Sequence, residues 1–252
     1  MPSTEIEPFE TVYNVPLSCD SCVESVTKAV EGLGNIRSVK CDIPNKRVTV
    51  IGSSAPSQIV EAIQSTGRDA IIRGTGKPNS AAVSILESFD PHDKPAPVKG
   101  LARFVSINPT DVLIDLTMSG VEKGTYYPSI RSSGNLSEGA LSCGELIKQL
   151  PSITADEAEK TDCGSCSCKE GTCEKNSITY KSHEFVKVPL NISDLIGRSL
   201  VISKEPKKVF IDSLCGVIAR SAGAWENDKY VCSCTGKTVW QERVDATKRG
   251  IN

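Results

Sequence analysis

Residues 7–73 carry a rhythm that few folds can satisfy. Phe9–Val15 alternates as a strand, and Val23–Glu31 places Val23, Val26 and Val30 on one helical face. Ile36–Ile43 reads as a second strand. Asn45 opens a turn into Arg47–Ile51, whose Val48 and Val50 mark a third. Pro56 stands in the first turn of a helix running through Ser65, with Ile59, Ala62 and Ile63 inward and Ser54 as its expected cap. Asp69–Arg73 closes the unit as a fourth strand.

That order is the ferredoxin-like βαββαβ pattern. Cys19-Asp20-Ser21-Cys22 falls in its first strand-to-helix loop, with Cys22 at the helix start, where the positive end of the dipole stabilises a thiolate. The pair reads either as two unconnected surface thiols or as a metal site, and position and spacing favour the metal. Eleven cysteines stand against two histidines, His92 and His183, so any metal site here is mainly sulfur. Both histidines fall in polar connectors and are expected to be solvated, and Cys41 at a strand end to be a small buried side chain. Net charge is -2, with lysine and arginine dispersed, which excludes a nucleic-acid surface and stable membrane association. The acidic start has neither a secretory nor a basic transit pattern, and no apolar run reaches a membrane span. The expectation is a cytoplasmic protein.

Residues 74–80, inside Arg73-Gly-Thr-Gly-Lys-Pro-Asn-Ser80, read as a linker and hinge. Residues 81–222 change to strands and turns, predicting a β-sandwich or barrel. Four thiols, Cys163, Cys166, Cys168 and Cys173, lie within eleven residues of this part. They could close a tetrahedral Zn or a Cu(I)–thiolate cluster, or be incidental to an acidic insertion. Residues 223–252 form a polar tail, expected to be largely irregular and unable to fold alone, with Trp225 and Trp240 as anchors or simple packing groups. It carries Cys232 and Cys234. In an extended chain these lie on one side about 6.5 to 7 Å apart, at the upper limit for a disulfide, so a bridge would be strained and easily reduced, while the pair is suited to chelating Cu(I).

The first unit resembles the heavy-metal-associated domain, with Leu17 where the usual motif has Met. Gly100-Leu-Ala-Arg-Phe-Val-Ser, Ile196-Gly-Arg-Ser-Leu-Val-Ile and Cys215-Gly-Val-Ile-Ala-Arg resemble Cu/Zn superoxide dismutase. The enzyme's metal ligands are missing: Ser129, Arg131 and Ser203 stand where histidines would, and none lies near Cys143-Gly-Glu145. The two likenesses and Gly223-Ala-Trp-Glu-Asn-Asp-Lys-Tyr-Val-Cys-Ser-Cys together resemble the copper chaperones for superoxide dismutase, and Ile72-Arg-Gly-Thr-Gly-Lys-Pro-Asn-Ser-Ala-Ala-Val resembles the fungal branch.

That resemblance implies a multidomain α+β chain. Residues 1–73 bind copper, 81–222 form a Greek-key barrel that recognises the client, and 223–252 deliver. It implies that Cu(I) is taken from an upstream donor at Cys19 and Cys22 and inserted through Cys232 and Cys234. These last would also exchange disulfides with the client. The partner is Cu/Zn superoxide dismutase, as a heterodimer through the barrel, with a homodimer as the competing arrangement. Arg220 is expected at that interface. Alignment with the enzyme's internal disulfide suggests a Cys143–Cys215 bridge, although the first position aligns nearer Ala140. The resemblance also implies a fraction in the mitochondrial intermembrane space. The chain is not expected to be an enzyme. Its alternatives are a thiol-rich copper buffer without a client, or an active dismutase, which two histidines argue against.

Overall fold

The computed structural model describes residues 6–94, 97–158, 180–227, 229–231 and 235–248. The first unit is β1 (Phe9–Asn14), α1 (Asp20–Glu31), β2 (Ile36–Asp42), β3 (Arg47–Gly52), α2 (Pro56–Gln64) and β4 (Ile71–Thr75). Its antiparallel sheet has the order β2-β3-β1-β4, the expected pattern. Cys22, Val26 and Val30 form the buried stripe of α1. That stripe packs with Tyr13, Val48, Val50, Ile59 and Ile63 into one core. Burial of this stripe, at roughly 25 cal/mol per Å² of apolar surface, holds the helix to the sheet.

The second unit comprises β5 (Ala81–Glu87), β6 (Val98–Asn108), β7 (Asp111–Val121), β8 (Gly124–Arg131), β9 (Ser137–Ala140), β10 (Leu146–Gln149), β11 (Ile153–Ala155), β12 (Glu157–Ala158) and β13 (Tyr180–Val188). A short α3 (Ile192–Leu195), then β14 (Ser199–Ser203), β15 (Leu214–Val217) and β16 (Ala219–Ser221) complete it. The antiparallel sheet runs β10-β8-β14-β15-β5-β6-β7-β13-β12, with β11 paired to β8 and β16 to β5. Because β11 also lies against β13, the sheet curls around a single core of Leu86, Phe104, Ile114, Ile130, Leu200 and Ile218.

Three expectations are corrected. Helix α2 is capped not by Ser54 but from the other unit: its N-cap position is Ala55, without a side-chain bond. Asp115 on β7 instead accepts from the Ser57 N–H at 2.9 Å and the Ser57 hydroxyl at 2.7 Å. Second, His183 is not a solvated connector residue. It lies on β13 with Nε2 2.9 Å from Asp115 Oδ1, because the strand pairing with β7 sets the two side by side. Third, residues 74–80 are not a free hinge. Gly74 and Thr75 belong to β4, and the Gly76 N–H donates to Glu10 O at 2.7 Å. The tail holds one helix, α4 (Val239–Lys248), and packs on the first unit. Among the described residues no helix is long and apolar enough to cross a membrane.

The two units share buried contacts. Phe9 of β1 packs with Val105 and Leu113 of the second sheet. Asp115, 1% exposed, also faces Arg103 at 3.7 Å.

Candidate metal centre

β1 ends at Asn14, and the chain then crosses to α1 through Leu17, which is buried in the core. Cys19 is the extended N-cap residue and Cys22 the third residue of the helix. The Cys22 and Val23 N–H groups both donate to Cys19 O, at 3.1 and 3.3 Å, so the first turn itself sets the two side chains together. Their sulfurs are 3.0 Å apart and unbonded, well beyond the about 2.05 Å of a disulfide. Cys19 is exposed and Cys22 buried.

Ser18 Oγ lies 3.4 Å from Cys22 Sγ, and Ser21 Oγ 3.1 Å from Cys19 Sγ. The Ser18 hydroxyl, then the Cys19 thiol and the Arg68 side chain, hold the Cys22 thiol down to about 6. One of the two sulfurs is therefore anionic near neutral pH and suited to a soft ion. Among the described residues no three Cys, His, Asp or Glu side chains converge, so the described residues offer a soft ion two sulfurs here. Ser18 and Arg68 went unread in the sequence. A hydroxyl beside the first cysteine was a usable local signal, whereas Arg68 reaches the site only through the fold.

Among its described residues the second unit gathers no three metal-ligating side chains. Ser129 and Arg131 on β8 and Ser203 on β14 are buried. Arg131 donates to Ser129 Oγ at 3.3 Å and to Lys207 O at 2.9 Å, and Ser203 pairs with Ser213 at 3.1 Å. A guanidinium and hydroxyls thus fill the space with hydrogen bonds among themselves. None supplies the imidazole that a copper enzyme needs.

Cys143 and Cys215 are both fully buried and share a cluster with Ala140 and Val201. They are free thiols within hydrogen-bonding reach of each other. The bond from Cys215, with the Arg131 charge behind it, lowers Cys143 to about 7, while Cys215 is pushed up. Arg220 is exposed on β16, donating to Asn79 Oδ1 at 2.7 Å, and lines a cleft that β4 and α4 also border. Cys163, Cys166, Cys168 and Cys173, and the tail pair Cys232 and Cys234, lie outside the described residues.

The sheet order and the helix-borne thiol pair, beside a large antiparallel β-sheet domain, define a heavy-metal-binding protein. Residues 12–69 match the model of the heavy-metal-associated domain. The chain is 56% identical over 96% of its length to the superoxide dismutase 1 copper chaperone of Debaryomyces hansenii, covering 98% of that protein. It is 40% identical to the Saccharomyces cerevisiae protein of the same name, over 98% of this chain and 99% of that one. It is also 30% identical to the Homo sapiens copper chaperone for superoxide dismutase, over 92% and 88% of the two. This chain belongs to the family of copper chaperones for superoxide dismutase. It is a copper-binding metallochaperone and not an enzyme.

Proposed function

We propose that the chain acquires Cu(I) at Cys19 and Cys22 and delivers it through Cys232 and Cys234 to a Cu/Zn superoxide dismutase. The observation that carries this reading is the two-thiol site at 3.0 Å with one thiol lowered to about 6. Such a site binds a soft ion firmly but can pass it through shared sulfur ligands without releasing it. The dismutase-like unit selects the client by like-with-like docking near Arg220, as a heterodimer that competes with a homodimer of this chain. An oxidised Cys232–Cys234 pair attacked by a client thiolate would form a mixed disulfide. A second client thiolate then closes the client's bridge while the tail is reduced to two thiols. The middle cysteines are assigned a secondary site for Zn or Cu(I). Family resemblance supports a cytoplasmic setting with a fraction in the mitochondrial intermembrane space, which cell fractionation tests.

The test is activation of reduced apo-dismutase by the copper-loaded chain. The double variant Cys232→Ser, Cys234→Ser should dock normally and fail to activate. Cys19→Ser, Cys22→Ser should retain activity when copper is abundant. A tail variant that activates fully, beside an N-terminal variant that is dead in excess copper, reverses the two roles. Copper withdrawn from the client instead of delivered would make the chain a buffer.

A further inference from the structure

The loop that leaves β8 folds back over the strand's own end. The Ser132 N–H donates to Glu145 O and the Ser133 N–H to Cys143 O, both at 2.9 Å, and the Glu145 N–H returns to Ser132 Oγ at 2.9 Å. Cys143 is thereby tied beside Arg131, the last residue of β8. Across the sheet, Arg131 pairs with Ser199 of β14 and Ser129 with Val201, which pairs in turn with Cys215 of β15. Paired positions share a face of a sheet, as do positions two apart on one strand. Arg131, Ser199 and Cys215 therefore lie on the face where Ala140 and Cys143 of the loop pack against Val201.

A buried cation is ordinarily matched by an anion. Arg131 is 5% exposed, and its hydrogen bonds go to neutral oxygens, Ser129 Oγ at 3.3 Å and Lys207 O at 2.9 Å. Burial pushes its guanidinium down, and the groups that oppose this are the Cys143 thiol first and the Glu145 carboxyl second. Ser199 Oγ is sealed from water with no hydrogen bond completed, yet stands close enough to Cys143 to help lower that thiol. As a thiol Cys143 donates to Gly139 O at 3.6 Å, and as a thiolate it accepts from Cys215. A guanidinium, a hydroxyl and a second thiol thus surround one sulfur, and that sulfur is where the missing anion forms.

We propose that Cys143 and Cys215 form a redox couple that exchanges with low-molecular-weight thiols and disulfides, and that Arg131 and Ser199 are the positioning residues that hold it toward the dithiol. The couple is independent of the copper-delivery reading. In the oxidising direction the Cys143 thiolate attacks a small disulfide, forming one S–S bond as another breaks, and a small thiolate leaves. Cys215 then gives its proton to solvent and attacks the Cys143 sulfur, which closes the bridge and releases the second small thiolate. Two electrons pass from the pair to the small disulfide, which ends as two thiols. The bridge is uncharged, so closing it takes the anion away from Arg131 and leaves a buried guanidinium facing neutral sulfur. A buried charge stripped of its partner is costly, and a dithiol whose thiolate is stabilised makes its disulfide easier to reduce. The covering loop slows the exchange and leaves its equilibrium unchanged.

Equilibration of the metal-free full chain in buffers of reduced glutathione and glutathione disulfide, near neutral pH and without oxygen, tests the couple. Differential alkylation and peptide mass spectrometry then read the bridged fraction at Cys143 and Cys215 apart from the other cysteines. The unaltered chain should pass reversibly from dithiol to bridge as the glutathione ratio changes. Arg131→Met should raise the equilibrium constant for bridging at least about tenfold, a potential about 30 mV lower. Arg131→Lys keeps the charge and should stay near the unaltered chain. Ser199→Ala should move the constant in the same direction by less, and it decides the matter should Arg131→Met lose the native circular dichroism. A pair that stays reduced or stays bridged at every ratio overturns the exchange. Unchanged constants in Arg131→Met and Ser199→Ala overturn the positioning roles, and so does an Arg131→Lys shift as large as that of Arg131→Met.

Discussion

Asp115 of the dismutase-like unit caps a helix of the copper domain, accepting from the backbone N–H of Ser57 at 2.9 Å and from its hydroxyl at 2.7 Å. A carboxylate at a helix N-terminus satisfies donors left open by the helix and meets the positive end of its dipole. Arg103 on β6 and His183 on β13 face the same carboxylate from behind. The copper domain is therefore held on the barrel by a buried, charged and directional contact.

Replacing that carboxylate should loosen the whole molecule. Asp115→Asn leaves the Ser57 donors and the Arg103 charge without their anion, a loss of about 1 to 3 kcal/mol for a buried charged acceptor. Urea unfolding should show it as a lower midpoint, and Ser57→Ala should lose less. An unchanged midpoint in Asp115→Asn would remove the cap from the account.

The same contact predicts a pH window. Burial pushes the Asp115 carboxyl up, but the His183 hydrogen bond, the Arg103 charge and Ser57 outweigh it and hold the group below its ordinary value. Its contribution is full above the unfolded carboxylate value near 3.9 and fades as pH falls through the lower folded value. The Asp115 hydrogen bond raises His183, which Glu61 and Glu184 also face. That contribution is full below about 6.5 and fades as pH rises through the higher folded value. Subtracting the profile of Asp115→Asn should leave a stability term greatest between roughly pH 4 and 6.5.

Ser18→Ala should raise the Cys22 thiol from about 6 toward its ordinary range, because the largest stabilising hydrogen bond to the thiolate is gone. The ultraviolet thiolate absorbance of the chain, less that of Cys22→Ser, reads the midpoint directly. Coincident profiles with and without Ser18 would place the cause elsewhere.

Cys143 and Cys215, facing each other in a sealed cluster, should cross-link on mild oxidation. The bridge should add about 2 to 4 kcal/mol, and Cys143→Ser should abolish that gain. Oxidised and reduced chains that melt together would leave the two as unpaired core thiols.

Replacing Cys163, Cys166, Cys168 and Cys173 by Ser should lower the metal bound per chain without stopping activation of the dismutase. Unchanged metal content would return them to incidental cysteines.

What could be read in advance follows the range of the interactions. The copper domain declared itself because alternation in β1 and β3 and the valine stripe of α1 are local patterns, and the thiol spacing sits within one helical turn. The thiol geometry was legible for the same reason, apart from Arg68. Ser54 was misjudged as a cap because the real acceptor, Asp115, lies on another sheet. His183 looked solvated because its neighbours Glu184 and Lys181 are polar, while its partner comes from the pairing of β13 with β7. Trp225 was readable as an anchor, but nothing nearby in sequence points to Glu10 or Arg47.

Gly76 and the residue before it meet the chain at three points. Its N–H donates to Glu10 O at 2.7 Å, its carbonyl accepts from Ala224 at 2.8 Å, and the preceding Thr75 N–H donates to Ala222 O at 3.2 Å. The passage out of the copper domain and the passage back from the barrel are stitched together at this point. Heat therefore meets one block and not a string of beads. Scanning calorimetry should record a single endotherm whose calorimetric and van 't Hoff enthalpies agree.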